Sequence, residues 1–192
     1  MPNWCLSSYT IEGDKKEIDT LFSIMSELES LPQAAAKSDY GKRWLGCLVN
    51  RLGGDTDKVC CRGEWSNLER KDDTITFMTE TAWNPCNETW DFICEKFKSL
   101  RYFYIAEECG MSLYETNDTD GKYYRDRYKV ELCTPDGEDM SEYFGDIESA
   151  VSWIAEQSGE DVKTAEEAYM LNGRWDEQDG YCVIHQFDIN GN

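Results

Sequence analysis

The sequence predicts an α+β fold, because segments of alternating polar and apolar residues are interleaved with segments whose apolar residues recur at helical spacing. With 192 residues, 40% hydrophobic and 13% aromatic, the chain is long enough to bury a full core. Its apolar runs are only a few residues long, and its first residues have no basic region followed by an apolar stretch. We therefore expect neither a membrane-spanning helix nor a signal peptide.

The first predicted elements are a strand and a helix. Residues 3–12 are rich in aromatic and β-branched residues, which indicates a strand that turns at Gly13. Asp14 and Glu17 have the spacing of a capping box, so we expect a helix to begin there. The helix is predicted to end near Pro32.

Four further elements complete a first sheet. A short helix is predicted around residues 44–49, and residues 58–69 and 73–82 are predicted to form a β-hairpin. Helix 88–99 and strand 101–107 follow. The longer elements have the order strand, helix, strand, strand, helix, strand. That is the order of the split βαβ, or ferredoxin-like, arrangement, in which one antiparallel sheet carries helices on one face.

A second hairpin is predicted to extend this sheet at an edge. Its arms are residues 111–116 and 122–133, and its turn is Asn117–Gly121. We interpret Asp118 and Asp120 as turn residues rather than calcium ligands, because the remaining ligands of a calcium loop are missing. Residues 1–133 are therefore predicted to form one ferredoxin-like domain with an added hairpin.

Residues 134–192 are predicted to form an acidic α/β region of two helices and a strand. Helix 146–157 has Asp146 as its predicted cap, and a shorter helix runs from Thr164 to about Leu171. Strand 181–189 follows. His185 lies on this strand among apolar residues, so we interpret it as a packing residue rather than a catalytic one.

The chain is strongly acidic, and most of the imbalance lies near its end. The net charge is −20, from 39 acidic and 19 basic residues. Residues 134–192 contain 15 acidic residues against Lys163 and Arg174, a net charge of −13. This argues against direct binding of nucleic acid or anionic membranes, and it favours a basic protein partner. Solubility alone is the alternative explanation.

The residues predicted to bind such a partner are the carboxylates of the two acidic helices and their flanks. They are Asp136, Glu138, Asp139, Glu142, Asp146, Glu148, Glu156, Glu160, Asp161, Glu166 and Glu167. Carboxylates on exposed helix faces can compete for the nucleic-acid groove of another protein. A solvated surface without function is the alternative.

The nine cysteines contain no CxxC pair, and their number is odd. Both observations indicate free thiols in a reducing compartment, so a cytoplasmic location is expected. Cys60 and Cys61 are adjacent, which is poor geometry for two ligands of one zinc ion. We predict no metal and no other cofactor.

Two further patterns have alternative explanations. Tyr102 and Tyr104 share one face of a predicted strand, as in the stacking platforms of RNA-recognition domains, but the basic motif of those domains is absent. Arg125, Arg127 and Lys129 form a basic stripe that suits a phosphate or an acidic segment. We favour pairing with the protein's own acidic C-terminal region.

Three segments resemble the YubB-type ferredoxin-like family of phages and conjugative plasmids, over about residues 1–133. They are Met1–Cys5 before a strand and Gly13, Thr81–Pro85 before a helix, and Phe97–Glu115 around Glu108–Met111. The chain departs from the family pattern at Ser7, where the family has asparagine. The resemblance implies a ferredoxin-like fold and a mobile-element context, and it implies no catalytic residues.

Together these observations predict a non-enzymatic mobile-element protein that binds and inhibits or modulates a basic host nucleic-acid-binding protein. An anti-CRISPR or anti-restriction factor that mimics nucleic acid is one form of this. One alternative is an interaction module that forms a homodimer through a sheet edge such as strand 123–132. A second is a metal-dependent enzyme that uses clustered carboxylates.

Overall fold

The computed structural model describes residues 3–38, 40–175 and 179–191 of the chain. Within these ranges the fold is α+β, with five α-helices and nine β-strands. Met1 and Pro2, which belong to the segment that carries the family resemblance, lie outside the described residues. The chain divides into two compact units, Met1–Leu113 and Tyr114–Asn192.

The helices and strands are numbered in chain order. The helices are α1 (Lys15–Ser30), α2 (Leu45–Arg51), α3 (Asn87–Lys96), α4 (Ile147–Ser158) and α5 (Ala165–Trp175). The strands are β1 (Trp4–Glu12), β2 (Gly63–Lys71), β3 (Thr74–Ala82), β4 (Arg101–Glu108), β5 (Leu113–Thr116), β6 (Tyr128–Cys133), β7 (Asp139–Phe144), β8 (Tyr181–Gln186) and β9 (Asp188–Ile189). No helix in the described ranges is long and apolar enough to cross a membrane.

The first unit contains four antiparallel strands in the order β2-β3-β1-β4. Tyr9 of β1 lies opposite Phe77 of β3 and Tyr104 of β4. Opposite residues share a face of the sheet, so these three rings form one layer, and Trp90 of α3 packs on it with its ring centroid 5.0 Å from that of Tyr9. The core of this unit is therefore an aromatic cluster between sheet and helices.

Tyr102 and Tyr104, which were compared with a stacking platform, belong to this core. Tyr102 is 5% exposed and Tyr104 is 2% exposed, and both rings pack near Tyr9. The Tyr102 hydroxyl donates to Asp91 of α3 over 2.8 Å. Neither ring presents a face on which a nucleic-acid base could stack.

Helix α1 buries the face defined by Ile18, Leu21, Met25 and Leu28, as its spacing predicts. Its predicted capping box is not formed. Asp14 occupies the N-cap position without a side-chain cap bond.

Glu17 instead accepts hydrogen bonds from the backbone N–H and the hydroxyl of Ser99, over 2.9 and 2.7 Å. A contact between residues 82 positions apart has displaced the local one.

The second unit contains the antiparallel sheet β7-β6-β8, covered on one face by α4 and α5. Val130 and Leu132 of β6 are fully buried beneath Ile154 of α4 and Leu171 of α5. Strand β7 was not predicted. Because it is an edge strand whose residues are mostly exposed, its sequence lacks the regular alternation of a half-buried strand.

The predicted hairpin of 111–116 with 122–133 is wrong. Strand β5 pairs in parallel with β9 through Glu115 and Thr116, whereas β6 pairs with β7 and β8. Because β6 has a partner on both sides, the homodimer edge proposed at 123–132 is wrong as well. The contact boundary between the units falls at Leu113 and Tyr114, earlier in the chain than the predicted boundary at residue 133.

Asp118 explains why residues 122–127 are not a strand. Its buried carboxylate accepts the backbone N–H groups of Lys122, Tyr123 and Tyr124, over 3.0, 2.6 and 2.8 Å. These groups are then not available for a sheet ladder. The segment folds into a closed loop around one side chain.

Candidate functional site

All eleven carboxylates predicted to bind a partner lie in the second unit. Ten of them are exposed, and Glu160 is half-buried. They occupy the turn between β6 and β7, strand β7, helix α4, the segment between α4 and α5, and the start of α5. The structure sorts them into a group that lines a cleft, a group that holds local structure and a group that is open to solvent.

The turn between β6 and β7 carries two of the acidic residues, Asp136 and Glu138. Gly137 adopts a positive φ of 91°, which permits the tight reversal. The Thr134 hydroxyl donates to Asp136 and accepts from the backbone N–H of Glu138. This small network fixes the Asp136 carboxylate and the backbone of Glu138 within the turn.

These two residues line a cleft of about 340 Å³ with parts of both helices. The other walls are the last two residues of α4, Glu160 just beyond it, and Arg174 and Trp175 at the end of α5. Two separate segments of the chain therefore bring Asp136, Glu138 and Glu160 to one concave site, and the end of α5 completes its wall. We call this site the acidic cleft.

The electrostatics of the acidic cleft favour a cation. Its three carboxylates are supplemented by the C-terminal ends of α4 and α5, where the aligned peptide dipoles place partial negative charge. The chain's own Arg174 lies there, with Nη2 3.4 Å from Oε2 of Glu160. An arginine or lysine side chain from another molecule would meet the same attraction.

Other predicted residues have structural roles. Asp146 caps α4 by accepting the backbone N–H of Ser149 over 2.8 Å, and this hydrogen bond lowers the pKa of the Asp146 carboxyl. Asp139 accepts from the hydroxyl of Tyr181 over 2.9 Å. These carboxylates stabilise the fold locally.

The segment before α5 uses two more of the predicted carboxylates. Asp161 pairs with Lys163 over 2.9 Å, and Glu167 accepts the backbone N–H of Lys163 over 2.6 Å. The backbone N–H of Glu167 in turn donates to the hydroxyl oxygen of Thr164 over 3.2 Å. The predicted capping box is thus formed in part, because the Glu167 carboxylate accepts the backbone N–H of Lys163 instead of that of Thr164.

The exposed face of α5 carries apolar side chains that the sequence analysis missed. Tyr169 is 59% exposed and Met170 is 69% exposed. Glu166, Met170 and Arg174 are spaced four residues apart, so they lie along one helix face that ends in the acidic cleft. Helical periodicity could have revealed this exposed face from the sequence, because Ala168 and Leu171 define the opposite, buried face of the helix.

His185 lies on the sheet face that α4 and α5 leave uncovered, and it takes part in a polar cluster. Its Nε2 is 3.3 Å from Glu131, which also pairs with Lys129 over 3.1 Å. The Tyr114 ring stacks on His185 with centroids 4.2 Å apart. Burial acts to raise the pKa of Glu131, but Lys129 and His185 outweigh it and lower the pKa.

The basic stripe does not form as predicted. Arg127 donates to the backbone carbonyl groups of Tyr124 and Asp118, over 2.9 and 2.7 Å, and so closes the loop around Asp118. Lys129 is 7% exposed and pairs with Glu131 of its own strand. Among the described residues, no group of three or more acidic, cysteine or histidine side chains is arranged to hold a metal ion.

Comparisons with protein-family models, with curated proteins and with solved structures found no match for this chain. The acidic cleft and the exposed face of α5 are therefore interpreted from their own chemistry.

Proposed function

We propose that this protein is a non-enzymatic binding protein that uses the acidic cleft to engage a basic protein partner. The partner's chemistry would be that of a nucleic-acid-binding protein, whose positive groove attracts clustered carboxylates. In this proposal the protein inhibits or modulates a host factor on behalf of a mobile element, as an anti-CRISPR or anti-restriction factor does.

The observation that carries this proposal is the convergence of Asp136, Glu138 and Glu160 at the C-terminal ends of two helices. An arginine or lysine side chain of the partner would enter the cleft and compete with Arg174 for Glu160. Because a concave site excludes part of the solvent, each charge pair formed there is worth more than a pair on an open surface.

The exposed face of α5 supplies a second element of recognition. Interfaces are stabilised chiefly by a few apolar or aromatic anchors surrounded by polar groups. Met170, one helical turn before Arg174, and the neighbouring Tyr169 would provide such anchors beside the cleft. The charge would then guide the approach of the partner, and the apolar contacts would slow its release.

We also propose that the first unit has the ferredoxin-like fold and the mobile-element context of the YubB-type family. Two observations support this assignment. The strands have the antiparallel order β2-β3-β1-β4, and β1, α1, β2, β3, α3 and β4 follow one another along the chain as strand, helix, strand, strand, helix, strand. The first unit would then be a scaffold, with partner binding assigned to the second unit.

Affinity capture from host lysate across a salt series, with mass spectrometry of the eluate, tests the proposed function. The double variant Glu138→Gln/Glu160→Gln should lose partners that the wild-type protein retains at low salt. Glu148→Gln/Glu156→Gln is the matched control, since it removes the same charge from the exposed side of α4. Equal capture by both variants would contradict a role for the cleft, and recovery of no basic partner would contradict the function.

A further inference from the structure

Two cysteines of the first unit lie in direct contact, although 26 positions separate them in the sequence. The Sγ atoms of Cys60 and Cys86 are 2.8 Å apart. Cys60 precedes β2 and is partly exposed, whereas Cys86 is fully buried at the N-cap of α3. A disulfide bond has its sulfur atoms about 2.05 Å apart, so the two sulfur atoms would need to approach by less than about 1 Å.

The backbone on both sides of this pair is fixed by hydrogen bonds. Thr89 of α3 donates its hydroxyl to the carbonyl group of Cys60 over 2.5 Å. Asn84 accepts the backbone N–H of Cys86 over 2.9 Å, and its own carbonyl group accepts the Thr81 hydroxyl over 2.6 Å. The fold thus places the two thiols together before any bond joins them.

The chemistry of the pair differs from that of the other buried thiols. The hydrogen bond from Cys86 lowers the pKa of Cys60 to about 7, and the backbone N–H of Arg62 adds to this effect. Burial instead raises the pKa values of Cys61 and Cys94 to about 11. Cys60 is therefore the thiol among these three that ionises most readily near neutral pH, and thiolates are the form that reacts with oxidants.

We propose that Cys60 and Cys86 form a reversible redox pair that a hydroperoxide oxidises to a disulfide. The site is separate from the acidic cleft and does not depend on the proposed function. Cys60 reacts first because it is accessible, and Cys86 completes the bond because it is already in contact.

The two steps balance with hydrogen peroxide as the oxidant. The Cys60 thiolate attacks one peroxide oxygen, the O–O bond breaks, and hydroxide leaves and takes up a proton, which gives a sulfenic acid and water. Cys86 then attacks the Cys60 sulfur, the S–O bond breaks, and a second water leaves with the thiol proton. The thiols lose two electrons and peroxide gains them, and a dithiol reductant reverses the oxidation.

The ionisation of Cys86 fits the second step. Its pKa is raised chiefly by the hydrogen bond with Cys60 and then by burial. Once Cys60 is a neutral sulfenic acid, the first of these effects is lost. The N-terminus of α3 favours the negative charge that develops on the Cys86 sulfur during its attack.

Peptide mapping after treatment with equimolar hydrogen peroxide tests the proposal on the full chain. Trypsin releases Cys60 in the peptide 59–62 and Cys86 in the peptide 72–96. We expect these peptides to be joined, with a loss of two hydrogen atoms, and to separate after reduction. Because the peptides also contain Cys61 and Cys94, the controls Cys61→Ser and Cys94→Ser should keep the link, and Cys60→Ser should lose it.

A trapping experiment separates the two steps. In Cys86→Ala, dimedone should label a sulfenic acid at Cys60, because the second thiol is missing. If this variant does not fold, the order of iodoacetamide alkylation in the wild-type protein at pH 7 replaces it, and Cys60 should react before Cys61, Cys94 and Cys182. A wild-type protein that retains nine free thiols after oxidation, or a link through Cys61 or Cys94, would overturn the proposal.

Discussion

Arg174 lies against Glu160 in the acidic cleft, so the protein places one of its own guanidinium groups where a partner's would bind. The 3.4 Å between Nη2 and Oε2 is long for a charge-assisted hydrogen bond, and the Arg174 side chain is 60% exposed. Such a pair contributes little to stability and is readily exchanged. Arg174 is thus an internal competitor for the cation that the cleft binds.

Replacing Arg174 by glutamine should strengthen the binding of a basic ligand. We expect the affinity for an oligoarginine peptide to rise about three- to tenfold at low salt, because Glu160 no longer has an internal partner. Fluorescence anisotropy across a salt series measures this. Lys163→Gln is the matched control, since it also removes one positive charge and one ion pair, but outside the cleft. An equal gain for both variants would indicate a general effect of net charge.

Truncating Met170 should weaken partner binding without changing the fold. The side chain is 69% exposed, so Met170→Ala removes little buried surface within the protein. If Met170 is an interface anchor, the dissociation constant for a partner isolated by affinity capture should rise about fivefold or more. Met78→Ala serves as the control, because Met78 is 40% exposed in the first unit. If Met170→Ala and Met78→Ala had indistinguishable dissociation constants for the partner, α5 would not be part of the interface.

Asp118 should be a major determinant of stability in the second unit. Asp118→Asn leaves one acceptor oxygen for three backbone N–H groups, and the new amide donor faces them. We expect a loss of about 3 kcal/mol in the free energy of unfolding, from the typical strength of hydrogen bonds to a charged group. Urea unfolding measures it. Asp120→Asn in the same loop is exposed and should leave the free energy unchanged.

The same residue should make stability depend on pH in the acid range. Burial acts to raise the pKa of Asp118, but the three N–H donors and Arg127 outweigh it and lower the pKa. A carboxyl whose pKa is lower in the folded state than in the unfolded state stabilises the fold at pH values above its unfolded-state pKa of about 3.9. This contribution is lost as the pH falls through the pKa of the folded state. The difference in stability between wild type and Asp118→Asn should therefore shrink below about pH 4.

Glu131 should be needed to balance the charge of Lys129. Glu131→Gln leaves the Lys129 ammonium, in a residue that is 7% exposed, without its carboxylate. We expect a loss of about 2 kcal/mol, because a largely buried ammonium loses a carboxylate partner, and Lys129→Met in the same background should restore much of it. Asp161→Asn breaks an exposed lysine pair as a control, and it should have no measurable effect in the same chemical unfolding assay.

Oxidation of the Cys60–Cys86 pair should stabilise the first unit. A crosslink between residues 26 positions apart restricts the unfolded chain by about 3.5 kcal/mol in the chain-entropy description. The guanidinium midpoint of the oxidised protein should therefore exceed that of the reduced protein. Cys60→Ser should show no such difference between oxidising and reducing conditions, and a difference that persists in this variant would implicate other thiols.

Much of the backbone could be predicted because local patterns decide it. The apolar spacing of Ile18, Leu21 and Met25 is that of the buried face of α1, and Asp146 caps α4 as expected. The failures occurred where a specific side-chain hydrogen bond overrides the preference that the local pattern indicates. Ser99 draws Glu17 away from its capping box, and one carboxylate, that of Asp118, removes three N–H groups from a predicted strand.

The candidate site was predictable in composition but not in geometry. The sequence identified Asp136, Glu138 and Glu160 among eleven acidic residues, yet only the fold shows which of them share a cleft. The pairing of Arg174 with Glu160 was not predicted, because it depends on where α5 ends. Cys60 and Cys86 were missed because a contact across 26 positions has no spacing pattern of the CxxC kind.

The enclosure of Lys129 gives the second unit a built-in probe of its own opening. Its ammonium lies 5.8 and 5.6 Å from the ring centroids of Tyr114 and Tyr143 and is paired with Glu131. An acylating reagent that modifies the exposed Lys163 at once would reach Lys129 only during transient separation of these groups. The ratio of the labelling rates of Lys129 and Lys163 would thus report how often this face of the sheet opens locally in the native protein.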